Sequence, residues 1–350
     1  MARRLPIYFV LDVSESMAGE PISQMEEVID HVLADMRRDP HALESVWFSQ
    51  IVFAAKPMTL SPLKEITGFT PNSLPIGGGT GIGELLKYLM QTLKTNTQID
   101  AATGKADWKP IVYLMTDGRS TDSTQAAVQE WTAHFKDKCL LVAISLGVNS
   151  DLQLLKQLTE NVVVFMDTTA EAYSKYAAWI SRSISESIKV SSSPVHSDEK
   201  PIAELERGLI ESVEAVPASS HTHDEQTVVL VGRCQKSKKP YLLRYDKSRN
   251  NLETASPQPT SIRFTGATAL KESYFELSST NSETPKIDVQ KLEHPGRCIH
   301  CGGSHAIVLC EGCKKVSCGA EEETWTCPWC GVAGRLSALE GPGFTDRGLG

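Results

Sequence analysis

Cysteines crowd the last part of the chain at spacings typical of metal sites. Seven of the nine cysteines lie between residues 298 and 330, and six of these form three Cys-x-x-Cys pairs. Such a pair can hold one metal ion from two directions, and two pairs complete a tetrahedral zinc site. The spacing therefore predicts one or two structural Zn²⁺ ions in this segment. The predicted ligands are Cys298, Cys301, Cys310, Cys313, Cys318, Cys327 and Cys330.

The sequence does not decide which of these thiols share a metal ion. The outer pairs, at 298–301 and 327–330, resemble a zinc ribbon, and the inner pair at 310–313 would then join Cys318 and one histidine. A segment this short buries little apolar core, so bound metal should supply most of its folding energy. The histidine candidates are His305 and, inside a Cys-x-x-Cys turn and therefore less well placed, His300.

A second group of residues offers oxygen ligands. Asp12, Ser14 and Ser16 follow one apolar run, Thr80 lies in a glycine-rich stretch, and Asp117 follows another apolar run. Two carboxylates and three hydroxyls suit Mg²⁺, which prefers oxygen ligands in octahedral geometry. With only two anions beside it, the ion would still attract an Asp or Glu of a partner protein. The composition predicts a partner-binding Mg²⁺ site.

Enzyme motifs built on the same residues are incomplete. The stretch GGGTGIG lacks the Gly-Lys-Ser/Thr of a nucleotide-binding P-loop and does not satisfy G-x-G-x-x-G spacing. An aspartyl-phosphate hydrolase would need a second Asp two residues after Asp12, where Ser14 stands instead. No G-x-S-x-G nucleophile motif occurs. We therefore predict that the protein is not an enzyme.

Alternating strands and helices position these oxygen donors. Between residues 4 and 190, short apolar runs alternate with helical patterns near 22–36, 85–93, 152–158 and 173–188. This alternation predicts a doubly wound α/β domain, in which the loops after the strands converge at one edge of a parallel sheet. The predicted strands are Ile7–Leu11, Trp47–Ala54, Ile111–Met115, Leu140–Ser145 and Val162–Met166.

The remainder of the chain divides by composition. Residues 191–226 are rich in Ser, Pro and charge and predict a linker, in which His221, His223 and Asp224 form a solvated loop. We predict a small β-rich module over 227–292, a cysteine-rich zinc-binding domain over 294–335, and a flexible tail over 336–350. Within the β-rich module, the run SYFELSS is predicted to form one strand. The two cysteines outside the cluster, Cys139 and Cys234, lie in apolar strand contexts and are predicted core residues.

Length and charge narrow the class of protein. A chain of 350 residues exceeds one hydrophobic core and predicts two or three domains. The net charge of −8 disfavours a protein built to grip a phosphate backbone. The longest apolar stretch, Cys139–Val148, is about half of what a membrane-spanning helix needs. The opening apolar run stops at Asp12, too early for a signal peptide, so we expect a soluble, cytoplasmic protein with reduced thiols.

The oxygen-donor pattern resembles a known family. Asp12-x-Ser14-x-Ser16, then Thr80, then Asp117 is similar to the metal-ion-dependent adhesion site of von Willebrand factor A domains. The resemblance covers about residues 4–190. It implies a Rossmann-like fold in which all five residues coordinate Mg²⁺, directly or through water.

The order of the whole chain sharpens this resemblance. An A domain, a β-rich segment and a tail running from CIHCG to CPWCG resemble TerY-type proteins of bacterial tellurite-resistance and stress-response systems. The resemblance implies a non-enzymatic adaptor that acts with a protein kinase and a PP2C-type phosphatase. An acidic side chain of such a partner would contact the Mg²⁺. The alternative is a nucleic-acid-associated subunit of a transcription or repair complex, which a run of cations favours. These are Arg233, Lys236, Lys238, Lys239, Arg244, Lys247 and Arg249. Residues 191–297 balance 14 basic against 15 acidic residues, however, so a solvated hairpin is the simpler interpretation of this cluster.

Overall fold

A computed structural model describes residues 3–99, 106–146, 150–165, 169–192, 227–247, 262–279, 285–319, 324–338 and 341–348. The chain forms two compact units, which we call the α/β unit (residues 1–74 and 80–220) and the cysteine unit (residues 75–79 and 221–350). Among the described residues, no helix combines the length and the hydrophobicity that crossing a bilayer requires.

One six-stranded sheet forms the centre of the α/β unit. Its order is β3-β2-β1-β4-β5-β6, and every neighbouring pair is parallel except β2 with β3. The strands are β1 (Leu5–Asp12), β2 (Val46–Phe53), β3 (Pro57–Glu65), β4 (Ile111–Thr116), β5 (Leu140–Leu146) and β6 (Val162–Phe165). The doubly wound α/β fold is thereby confirmed. Strand β3 escaped prediction because it is a half-exposed edge strand without the apolar run of a buried one.

Helices cover this sheet. They are α1 (Glu20–Met36), α2 (Pro40–Ser45), α3 (Ile82–Asn96), α4 (Gln125–His134), α5 (Leu152–Leu158) and α6 (Ala170–Ser192). Buried side chains of α3, α4 and α5 form one cluster with Tyr8 and Val10 of β1. Phe9 points to the opposite face, where it stacks on Phe48 and Tyr113. Helix α1 packs against α6. Both faces of β1 are therefore buried, which explains its continuously apolar sequence.

The cysteine unit is built around a second sheet. Its five strands run in the order β11-β12-β7-β8-β9, and two short pairs, β10-β15 and β13-β14, accompany it. The strands are β7 (Thr227–Arg233), β8 (Pro240–Asp246), β9 (Arg263–Ala269), β10 (Lys286–Asp288), β11 (His305–Leu309), β12 (Val316–Gly319), β13 (Trp325–Thr326), β14 (Ala333–Gly334) and β15 (Phe344–Asp346). A short helix, α7 (Ser273–Leu277), follows β9.

Three expectations for this half of the chain need correction. The β-rich module and the cysteine-rich domain are one unit, because β12 pairs with β7 in the same sheet. The run SYFELSS forms α7 and not a strand, since Tyr274 and Leu277 are buried at helical spacing. The tail predicted to be flexible contains β15, which pairs with β10 and buries Thr345. The predicted linker lies outside the described residues from 193 onward.

Candidate metal centres

The sheet topology places the predicted oxygen donors at one point. Strand β1 ends at Asp12, and its neighbour β4 ends at Thr116, directly before Asp117. The strand order reverses between β1 and β4, because the chain leaves β1 toward β2 on one side and returns to β4 on the other. Ligands of open α/β sheets bind at the carboxyl ends of the strands at such a switch point. The fold thus brings both predicted carboxylates to a common edge.

Asp12 is fully buried and held by two hydrogen bonds. The backbone N–H of Ser14 donates to its Oδ1 at 2.9 Å, and the Thr116 hydroxyl donates to its Oδ2 at 2.6 Å. Burial raises the pKa of Asp12 to about 6, although both hydrogen bonds act to lower it. A carboxylate withdrawn from water in this way is stabilised by a cation beside it. The environment of Asp12 therefore fits a metal site.

The serine hydroxyls connect Asp12 to Asp117. Ser14 Oγ lies 3.0 Å from Ser16 Oγ, and the Ser16 hydroxyl donates to Asp117 Oδ1 at 3.0 Å. Neighbouring ligands in an octahedron with Mg–O bonds of about 2.1 Å are about 3.0 Å apart. Ser14 is buried, whereas Ser16 and Asp117 are partly exposed. The spacing of these oxygens therefore matches the edge of a Mg²⁺ coordination shell that is reachable from solvent.

Thr80 completes the predicted set. Its carbonyl accepts the backbone N–H of Thr121 at 2.7 Å, and its own N–H donates to Thr121 Oγ1 at 3.0 Å. A Cβ atom placed on Gly118 would lie 3.2 Å from Thr80 Oγ1 and 3.9 Å from Asp12 Oδ2. Glycine at 118 therefore leaves room between the threonine hydroxyl and the carboxylate. The structure brings all five predicted oxygen-donor residues together.

Thr116 donates a hydrogen bond to one oxygen of Asp12, a role that the sequence analysis did not predict. We expect Thr116→Val to lower Mg²⁺ affinity by about 10- to 100-fold, the usual cost of losing a residue that orients a ligand. Isothermal titration with Mg²⁺ measures this. The matched control is Thr159→Val, which removes another buried hydroxyl, bonded to the Leu141 carbonyl at 2.7 Å. Equal Mg²⁺ affinity in both variants would contradict the assignment.

The thiols gather into two groups of four. The sulfur atoms of each group all lie within 4.8 Å of one another. The measured Sγ–Sγ distances are 3.7 Å for Cys301–Cys318 and 3.6 Å for Cys310–Cys330. Four sulfurs bonded tetrahedrally to zinc at about 2.3 Å are about 3.8 Å apart, whereas a disulfide measures about 2.0 Å. The first tetrad is Cys234, Cys298, Cys301 and Cys318, and the second is Cys310, Cys313, Cys327 and Cys330.

This arrangement corrects two expectations. The outer Cys-x-x-Cys pairs do not share a site, since 327–330 joins 310–313 and the pair at 298–301 joins Cys318. The eighth thiol of the tetrads is Cys234, which is buried as predicted for a core residue, and neither tetrad contains a histidine. His300 is bonded through Nε2 to the Pro240 carbonyl, and the His305 ring packs edge-on against His294.

A shared turn explains why the Cys234 sulfur lies with the other three thiols of the first tetrad. In the turn that begins at Cys298, the N–H of Gly302 donates to the Cys298 carbonyl at 2.8 Å, and the Cys298 N–H donates to the Gly303 carbonyl at 2.9 Å. The same two bonds recur in the turns that begin at Cys310, Cys327 and Cys234. The fifth residue of each turn has positive φ, and these are Lys238, Gly302, Lys314 and Gly331.

The turn at 234–238 is therefore a fourth metal-binding turn in which Ser237 replaces the second cysteine. Its sequence, CQKSK, has the spacing of CEGCK at 310–314 with serine in the fourth position. The pentapeptide contains one cysteine only and therefore does not show the Cys-x-x-Cys pattern. The similarity of these two pentapeptides, together with the need for an eighth ligand, is the signal that would have identified Cys234.

The tetrads are electrostatically suited to a cation. Burial acts to raise the pKa of Cys234, but hydrogen bonds from Ser237, Cys301 and Lys236 together outweigh it and lower the pKa to about 6. Burial likewise opposes ionisation of Cys310, and the Cys313 N–H helps to lower its pKa to about 7. Burial raises the pKa of Cys313 to about 12 and that of Cys318 even further. Four clustered thiolates require positive charge, which a divalent metal supplies.

Two family models match the chain. Residues 7–177 match the von Willebrand factor type A domain, and residues 224–350 match the TerY-C metal binding domain. The second match contains all eight cysteines of the tetrads. A search of curated proteins returns no match.

Several solved structures match part of the chain. Proximal thread matrix protein 1 from the mussel byssus is 20% identical with a TM-score of 0.38, over 51% of this chain and 48% of that chain. A von Willebrand factor type A protein from Catenulispora acidiphila is 15% identical with a TM-score of 0.38, over 52% and 43%. BatB from Bacteroides thetaiotaomicron is 16% identical with a TM-score of 0.36, over 51% and 97%. The chain spans about half the length of the first two structures.

Proposed function

Since this chain is a TerY-type protein, with a von Willebrand factor type A domain followed by a C-terminal metal-binding domain, we propose that it is a Mg²⁺-dependent protein-interaction adaptor. Asp12, Ser14, Ser16, Thr80 and Asp117 would hold the Mg²⁺. The ion would supply a positive charge that attracts a partner. The observation that carries the proposal is the convergence of these five residues at the switch point of the sheet.

The number of ligands in the site supports binding of an acidic partner. The set contains two carboxylates and three neutral hydroxyls, so five protein donors would leave at least one of the six octahedral positions of Mg²⁺ open. Ser16 and Asp117 are partly exposed, which leaves the site within reach of a side chain from another protein. An Asp or Glu of the partner would complete the shell.

The same geometry favours binding over catalysis. Asp12 is fully buried, so its carboxylate is not exposed to attack a substrate. Ser14 stands where an aspartyl-phosphate hydrolase would have its second carboxylate. We therefore propose a non-enzymatic role, in which the protein joins a protein kinase and a PP2C-type phosphatase in a cytoplasmic stress-response pathway.

For the cysteine unit we propose two structural Zn²⁺ ions, one in each tetrad. Four thiolates in tetrahedral arrangement are the usual donor set of structural zinc. All eight cysteines are unpaired by disulfides, which fits a reducing compartment. Neither proposed ion would take part in chemistry, because each tetrad already fills all four coordination positions.

Partner capture tests the adaptor proposal. The full chain, wild type or Asp12→Ala, is used to recover proteins from the native cell in the presence of Mg²⁺ and of Zn²⁺. We expect a kinase or phosphatase to be retained by the wild type and lost from the variant. Magnesium is removed by dialysis with zinc kept present, because a chelator such as EDTA would also strip the tetrads. Equal recovery in all arms would overturn the proposal.

Nucleic-acid binding remains the second candidate. The exposed lysines of the turn after β7 support this candidate. Arg233 beside them, however, forms a bidentate ion pair with Glu272, in which its two terminal nitrogens lie 2.8 and 2.9 Å from the carboxylate oxygens. That pair neutralises one of the cations. Affinity for DNA that falls steeply with salt concentration would favour this candidate over the adaptor.

A further inference from the structure

The two thiol tetrads share one strand. Strand β12 carries Cys318, a ligand of the first tetrad, and it begins directly after the turn that carries Cys310 and Cys313 of the second. Cys318 is fully buried, and the backbone N–H of Gln235 donates to its sulfur at 3.2 Å. The position of β12 therefore affects the geometry of both tetrads.

Two tryptophans connect β12 to the far side of the second tetrad. Trp325 Nε1 donates to the Cys318 carbonyl at 3.2 Å, and Trp329 Nε1 donates to the Val316 carbonyl at 2.7 Å. Trp329 lies inside the turn between Cys327 and Cys330. An indole N–H can only donate, so each bond is lost when its tryptophan moves away from the strand.

A third contact joins the same tryptophan to the first tetrad. The Arg233 guanidinium lies 4.9 Å from the ring centre of Trp329. Arg233 directly precedes Cys234 and donates to the Lys238 carbonyl, within the turn that begins at Cys234, at 2.9 Å. Trp329 thus donates to β12 and also packs against Arg233, which is itself hydrogen-bonded to the Cys234 turn.

We propose that the two metal sites bind and release their ions as one cooperative unit, with Trp325 and Trp329 as the positioning residues that couple them. A metal in the second tetrad orders residues 325–330 and so holds both indoles on β12. That strand then presents Cys318 to the first tetrad. Coupling of this kind is reciprocal, so an ion in either site favours the other, by a factor of about 5 to 150.

This inference depends on the proposal that both tetrads bind metal. A zinc-competition experiment distinguishes whether the tetrads bind zinc from whether their binding is coupled. The zinc-loaded full chain is titrated with a chromophoric chelator, and the release curve gives stoichiometry and the number of steps. We expect the wild type to release two ions in one step. The Trp325→Phe/Trp329→Phe chain, which keeps aromatic rings but loses both N–H donors, is expected to release two ions in two resolved steps. The matched control is Trp131→Phe, which removes the buried hydrogen bond from the Trp131 indole N–H to the Leu158 carbonyl in the α/β unit.

Site deletion tests the reciprocity directly. Cys330→Ser should weaken zinc in the first tetrad, and Cys301→Ser should weaken zinc in the second, each by the same factor of about 5 to 150. Unchanged affinity of the surviving site in both variants would overturn the coupling while leaving metal binding intact. A wild type that holds fewer than two ions overturns the metal assignment and the coupling together. Two-step release from the wild type overturns the coupling alone.

Discussion

The Cys234→Ala chain is expected to bind one zinc ion where the wild type binds two. Cys234 is buried and belongs to the first tetrad with Cys298, Cys301 and Cys318. A structural zinc site contributes about 10–16 kcal/mol of apparent binding free energy at neutral pH. That is comparable to the whole stability of a domain, about 5–15 kcal/mol. The cysteine unit of the variant should therefore lose its resistance to proteolysis and its cooperative unfolding transition.

Two controls make this prediction specific to metal ligation. Cys139→Ala deletes the other cysteine outside the cluster, which is equally buried but belongs to neither tetrad, and should leave two ions bound. Ser237→Ala removes only a hydrogen-bonding neighbour of Cys234 and should also keep both ions. Elemental analysis of the three purified variants gives the result. Two equivalents of zinc in Cys234→Ala would show that Cys234 is a core residue after all.

Loss of either carboxylate from the oxygen site should abolish the response of the α/β unit to magnesium. With Mg²⁺ at 100 times its dissociation constant, the wild type should gain about 2.7 kcal/mol of unfolding free energy. Asp12→Ala and Asp117→Ala should gain none. Removing a residue that merely orients a ligand costs about 10- to 100-fold in affinity, and removing a charged ligand itself should cost more.

Thermal unfolding with and without Mg²⁺ measures this response. The control is Asp39→Ala, which removes the carboxylate that accepts the His41 N–H at the start of α2, a helix leading into β2. That change should lower stability by about 1 kcal/mol, the usual cost of losing a helix cap. It should leave the Mg²⁺-dependent gain intact. A full magnesium response in Asp12→Ala would refute the site.

Local patterns in the sequence were sufficient for much of the α/β unit. Buried parallel strands such as β1 and β4 are continuously apolar, and the large helices carry apolar residues at helical spacing. The exceptions are elements with weak patterns. Strand β3 lies at the sheet edge, and α4 buries only Ala127, Val128 and Trp131. Partial burial leaves little periodic signal to detect.

The oxygen donors were predictable for a related reason. Each lies at the end of a strand or in the loop before a helix, and parallel strands bring such positions to one edge of the sheet. Residue type and chain position were therefore enough to predict that Asp12, Ser14, Ser16, Thr80 and Asp117 lie together. The role of Thr116 was not accessible, because it depends on which oxygen of Asp12 its hydroxyl reaches.

The sequence by itself determined that metal-binding turns exist in the cysteine unit, since a Cys-x-x-Cys turn is made by its own backbone hydrogen bonds. Only the tertiary structure decided which turns share an ion. The pairing of β7 with β12 brings Arg233 opposite Ser317 and so sets Cys234 beside Cys318, two residues far apart in the chain. Sheet register is a non-local property, and neither cysteine spacing nor composition encodes it.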